Sequence, residues 1–106
     1  MYVAYEGFPS DWYAEAHNYE GSTCESCKMY DTGDYYNAAK RHCAKSGGRL
    51  ATASELKGMG IANSGNYWAM DDRDPDTASC LYYGDPGFNS KNDNAGDHKV
   101  LCVGVE

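Results

Sequence analysis

The chain has 106 residues, 16 acidic against 9 basic, for a formal charge of −7. That length allows one domain with a modest core, for which cross-links matter. Dispersed basic residues in an acidic chain exclude the positive stripe that nucleic acid requires and disfavour an anionic membrane surface.

No apolar run is long enough to span a bilayer. The opening residues Met1 to Glu6 lack the basic start and apolar centre of a signal peptide, so the chain reads as an excised domain. Cysteines stand at Cys24, Cys27, Cys43, Cys80 and Cys102. In a small chain rich in Gly and Tyr they point to an oxidising compartment and leave one thiol over.

A single domain is expected over residues 1–106, with an aromatic N-terminal segment at 1–26 and a core at 27–103. In that first segment Tyr2, Val3 and Tyr5 suit a strand, and residues 11–16 suit a helical turn capped by Ser10. Cys24-Glu-Ser-Cys27 admits three chemistries. A redox pair needs a helix N-terminus and a βαβ context. Zinc needs two more ligands, with His17 or His42 recruited. A structural disulfide, within the pair or to another cysteine, is favoured. Lys28 to Tyr30 reads as a short strand.

The clearest pattern runs from Asp34 to Leu56. Asp34 (or Thr32) caps a helix whose Tyr35, Ala39 and Cys43 share one face. Gly47 and Gly48 stop it, and Leu50 follows as a short strand. Thr52 and Glu55 form a capping box opening a second short helix. Tyr67 to Met70 reads as a buried central strand, and Asp71 to Asp76 as a charged loop. From Ala78 to Tyr83, Leu81 and Tyr83 share one face, Cys80 and Tyr82 the other. Gly84 to Gly87 is a turn signal, and 88–99 a polar connection. Val100 to Val103 closes as a short strand. The expected class is α+β: two helices, a small antiparallel sheet and long polar loops.

From about Cys27 to Val103 these residues resemble a C-type lectin-like domain. The carriers are Tyr36-Asn-Ala-Ala39 with Cys43, Gly47 to Ala51, Glu55, the Tyr67–Met70 strand and Cys102. The resemblance implies a Cys43–Cys102 disulfide joining first helix to last strand. Cys24 and Cys27 resemble, in compressed form, the extra N-terminal cysteine pair of long-form members. The family's calcium and sugar tripeptides are absent, so calcium-dependent sugar binding is not carried over. Its second disulfide has no counterpart, which leaves Cys80 unassigned. Tyr67-Trp68, Ala78, Leu81, Tyr83 and Val100 to Val103 are similar to a bacterial and phage subset. That subset is found on pilin-like proteins and adhesins, and as the variable proteins of diversity-generating retroelements. Residues 71–98 are drawn heavily from the Asn, Asp, Tyr, Ser and Gly set that such mutagenesis scatters.

The resemblance implies recognition without enzymatic turnover at an extracellular, cell or virion surface, with a protein or glycan as partner. The ligand-binding residues expected are Tyr82 as anchor, with Asp72, Arg73, Asp76, Asn89, Asn92 and Asn94 supplying hydrogen bonds. Asp71, Asp72, Asp74 and Asp76 have the oxygen spacing that suits calcium. The EF-hand glycine and terminal glutamate are missing, so a solvated loop without metal is favoured. His42 reads as a helix-surface residue and His98 as a loop residue, neither as a catalytic base. The alternative is a structural pilin-like subunit that assembles through the N-terminal segment.

Overall fold

The computed structural model describes residues 2–7, 13–60, 65–92 and 98–104, without the side chains of Tyr13, Asp72 and Arg73. Its elements in chain order are β1 (Tyr2–Gly7), a 3-10 turn (Tyr13–Glu15), α1 (Glu25–Tyr30), α2 (Tyr35–Lys45), β2 (Arg49–Leu50), α3 (Ala53–Gly58), β3 (Asn66–Asp74), β4 (Thr77–Tyr82), β5 (Asp85–Ser90) and β6 (His98–Gly104). The class is α+β. Among the described residues no helix is long and apolar enough to cross a membrane.

Local chemistry sets α2 and α3. The Asp34 carboxylate accepts from the Asn37 N–H at 2.9 Å, capping α2. Tyr35, Tyr36, Ala38, Ala39 and Cys43 form the buried face of α2. Gly47 takes φ +86°, and the Gly48 N–H returns to the Cys43 carbonyl. Gly48 has a second constraint: a Cβ there would collide with the Val103 carbonyl of β6. Thr52 and Glu55 satisfy each other's backbone N–H groups at the start of α3. Both Glu55 oxygens also accept from Arg49, at 2.7 and 2.8 Å. The Arg49 guanidinium and the Thr52 N–H hold the Glu55 carboxyl down at about 2.

The sheet is mixed, which corrects the antiparallel expectation. Its order is β1-β6-β3-β4-β5, with β2 also on β6. Four pairings are antiparallel, but β3 and β6 pair in parallel through Asn66↔His98 and Tyr67↔Lys99. Two hairpin reversals return β5 to the direction of β3, and β6 then takes that same direction on β3's other side.

Three further boundaries differ from expectation. Lys28, Met29 and Tyr30 end a third helix, α1, instead of forming a strand; Met29 and Tyr30 are exposed, so nothing buries them as a strand requires. The acidic run is not a loop: β3 continues to Asp74, paired with Thr77, and only Pro75 and Asp76 turn. The hairpin turn is Tyr83-Gly84, not 84–87, and Asp85, Pro86 and Gly87 pair with β4. Part of the expected polar connection is therefore β5.

The core has two parts. Trp68, Cys80, Val100 and Cys102 pack with the buried face of α2; Tyr67, Leu81, Leu101 and Val103 pack with Leu56 of α3. Cys43–Cys102 and Cys24–Cys27 are the disulfides among the described residues. Cys80 belongs to neither and is buried.

Candidate functional site

The expected ligand-binding residues fall into two neighbourhoods. The first surrounds the β4–β5 hairpin. Alternation along β4 turns Tyr82 toward the same core cluster as Cys80 and leaves it half-buried. Its ring lies over Gly87, where an added Cβ would meet it at 3.1 Å. The ring also meets His98 edge-on at a centroid distance of 5.7 Å. Asn89, half-buried on β5, has its Nδ2 3.0 Å from His98 Nε2, and its Oδ1 accepts from the Ser90 N–H. The amide and the imidazole thus lie within hydrogen-bond distance of each other.

His98 is not the loop residue expected. It is the first residue of β6, 2% exposed, with its ring 5.0 Å from that of Trp68. Period-two spacing to the buried Val100 and Cys102 was the sequence signal for it. His42, half-buried on α2, packs edge-on against Tyr5 at 4.5 Å.

Tyr83 forms the tip of this hairpin. Tyr83 and Gly84 both have positive φ, 49° and 93°, between the paired Tyr82 and Asp85. This is the pattern of a type I′ turn, whose first position favours Asn, Asp or Gly. A tyrosine there is disfavoured by its own backbone. It is also 68% exposed, so packing does not offset that cost. The Tyr83 N–H donates to the Gly65 carbonyl at 3.0 Å, tethering the tip. The alternation expected to put Tyr83 on the Leu81 face ends at Tyr82, and the turn rotates Tyr83 outward.

The second neighbourhood is where β3–β4 meets α1 and the segment after β5. The Asp76 carboxylate accepts from the Ser26 N–H at 3.2 Å, and its carbonyl from the Lys91 N–H at 2.8 Å. Asn92 donates to the Thr32 hydroxyl at 3.3 Å. Asp74 accepts from the N–H groups of Asp76 and Thr77. Two of the four carboxylates proposed for calcium are thus already engaged by backbone. Asp72 and Arg73 lie in β3, but their side chains are outside the description, as is Asn94 altogether.

Lys91 had no expected role. It is 2% exposed, and its ammonium donates to the Thr23 hydroxyl at 2.9 Å. Its burial comes from long-range packing, which leaves no local signature in a polar stretch.

The C-x-x-C pair is a disulfide, with Cα atoms 5.3 Å apart. Cys24 is the N-cap of α1 and its sulfur accepts from the Cys27 N–H. The helix N-terminus that redox chemistry needs is therefore present, although the βαβ surroundings are not. Buried Asp34 lies within 4.8 Å of both sulfurs.

Compared with protein-family models, with curated proteins and with solved structures, the chain matches none of them.

Proposed function

We propose that this chain is a C-type lectin-like recognition module of a bacterial or phage surface protein. It binds a protein or glycan without chemical turnover, through residues 71–98. The observation that carries this reading is Tyr83, an exposed aromatic in a left-handed hairpin position where a smaller polar residue would be more stable. Outliers of this kind cluster at binding sites. Tyrosine offers a ligand a rigid ring and a hydroxyl at low entropy cost. Tyr82, Asn89 and Asp85 occupy the paired strands behind it.

Support for the scaffold comes from the Cys43–Cys102 bond between α2 and β6, the pairing that the resemblance implies. An oxidising location, at a cell or virion surface, accords with two disulfides. Replacing Tyr83 by Asn removes the ring and suits the turn. It is expected to abolish binding to glycan arrays and intact bacterial cells while leaving the fold intact; undiminished binding contradicts the reading.

In its retroelement form, this reading adds that residues 71–98 vary among copies. A reverse transcriptase gene beside a near-copy of the segment encoding residues 67–103 establishes that form; a native locus with neither removes it.

One observation favours the alternative, a pilin-like subunit. β1 is an edge strand with Tyr2 and Val3 about half exposed, and an open edge can add a strand from a neighbour. In that case loop substitutions are silent and Val3→Lys blocks assembly.

A further inference from the structure

A cleft of about 120 Å³ opens beside the first turn of α2. Thr23, Asp34, Tyr36, Asn37, Lys40 and Lys91 line it, and none of these belongs to β4 or β5. Two ammonium groups converge there on one ring: Lys40 Nζ lies 5.4 Å, and Lys91 Nζ 5.6 Å, from the Tyr36 centroid.

The arrangement is built in. The Lys91 main chain is fixed on both sides of its Cα: its N–H donates to the Asp76 carbonyl, and its carbonyl accepts from the Tyr35 N–H at 2.7 Å. The Tyr36 ring is held by its hydroxyl, which accepts from the Asp71 N–H at 3.0 Å, and by Trp68 at 5.5 Å. An ammonium held in so buried a place needs compensating partners. The Tyr36 ring and the Thr23 hydroxyl are two of them.

The carboxylate in the wall belongs to Asp34, and it is committed elsewhere. Its oxygens accept from the Asn37 N–H and from the Ser22 hydroxyl. Among the described lining residues two lysines stand beside one aspartate, and the α2 N-terminus presents the positive end of its dipole there. The volume corresponds to about four water molecules, enough for one small oxyanion group.

We propose that this cleft binds a small oxyanion, a carboxylate or a phosphate group, ligated by Lys40 and Lys91. It is a site separate from the hairpin and does not depend on the recognition reading. The chemistry is that of ammonium–oxyanion pairing in a partly desolvated pocket, where charge-assisted hydrogen bonds are strongest.

The test is a titration of the isotope-labelled chain, disulfides intact, with inorganic phosphate and separately with acetate, followed by amide NMR. Chloride keeps the ionic strength constant so that screening does not mimic binding. Saturable shifts at Thr23, Asn37, Lys40 and Lys91 are expected with at least one anion, and whichever saturates identifies the oxyanion class. Lys40→Gln, at a half-exposed position that the fold tolerates, should weaken binding about tenfold, the equivalent of about 1.4 kcal/mol. Tyr83→Asn should bind the anion as the unaltered chain does, which separates this site from the hairpin. Linear, unsaturated shifts with both anions, or equal binding by Lys40→Gln, overturn the proposal.

Discussion

Glu55 is one side chain that serves three contacts. It completes the capping box of α3, takes both guanidinium arms of Arg49 and so ties β2 to α3. Its carboxyl titrates at about 2 in the folded chain, against 4.5 as its ordinary value. The sign follows from that depression: the contribution is complete above pH 4.5 and is lost as pH falls from there toward 2. Because the pair is partly solvated, with the Arg49 side chain 37% exposed, the loss should be only about 1–2 kcal/mol. Urea midpoints measured from pH 6 down to about 2 should show that loss in the unaltered chain. Glu55→Gln keeps the capping contact and should flatten the dependence; an identical pH profile in both contradicts it. The Asp34 cap and the Thr52–Glu55 box were legible in the sequence because each joins residues three apart. Lys91 is not legible, because its burial depends on partners distant in the chain, whereas His98 carries a local cue in its period-two spacing to Val100 and Cys102.

At the scale of elements, α2 and α3 follow from helical spacing and caps, and the heart of β3 from its apolar run. Met29 and Tyr30 looked like buried strand residues because composition does not say which apolar residues find a core. Asp71 to Asp74 looked like loop because charge was read ahead of strand pairing, yet β4 supplies the partner backbone. The β4–β5 turn was misplaced because Gly84-Asp85-Pro86-Gly87 carries the stronger turn signal. The structure instead uses the pair Tyr83-Gly84, whose first member is unfavourable at positive φ. Relieving it makes a prediction of its own. Tyr83→Asn should stabilise the domain by about 0.5–1 kcal/mol, seen as a raised melting temperature. A lower melting temperature would show that the ring is held by packing after all.

For the whole molecule, β6 is the hub. It pairs with β1, β2 and β3, and through Cys102 it is bonded to α2. The Cys43–Cys102 bond spans 59 residues, and closing a loop of that size restricts the unfolded chain by about 4 kcal/mol in the entropy model. The Cys24–Cys27 bond closes only three residues and is worth about 2 kcal/mol by the same reasoning. Replacing Cys43 and Cys102 together by Ala should therefore lower the denaturation midpoint more than replacing Cys24 and Cys27. The reverse order would place the main cross-link at the wrong end of the domain. The cysteine count alone left the connectivity open, and the family resemblance supplied the 43–102 pairing. Parallel pairing of β3 with β6 was beyond the sequence, since nothing local records which strand an edge will find.

That scaffold leaves the β4–β5 hairpin to present Tyr83 at the expense of turn stability, and the proposed recognition runs through this tip. Its most direct test compares the labelled chain with Tyr83→Asn in two readouts, melting temperature and binding to a glycan array and to intact bacterial cells. The substitution should raise the melting temperature while binding falls at least about tenfold, or 1.4 kcal/mol. Equal binding by the two proteins, or binding by neither, would contradict it.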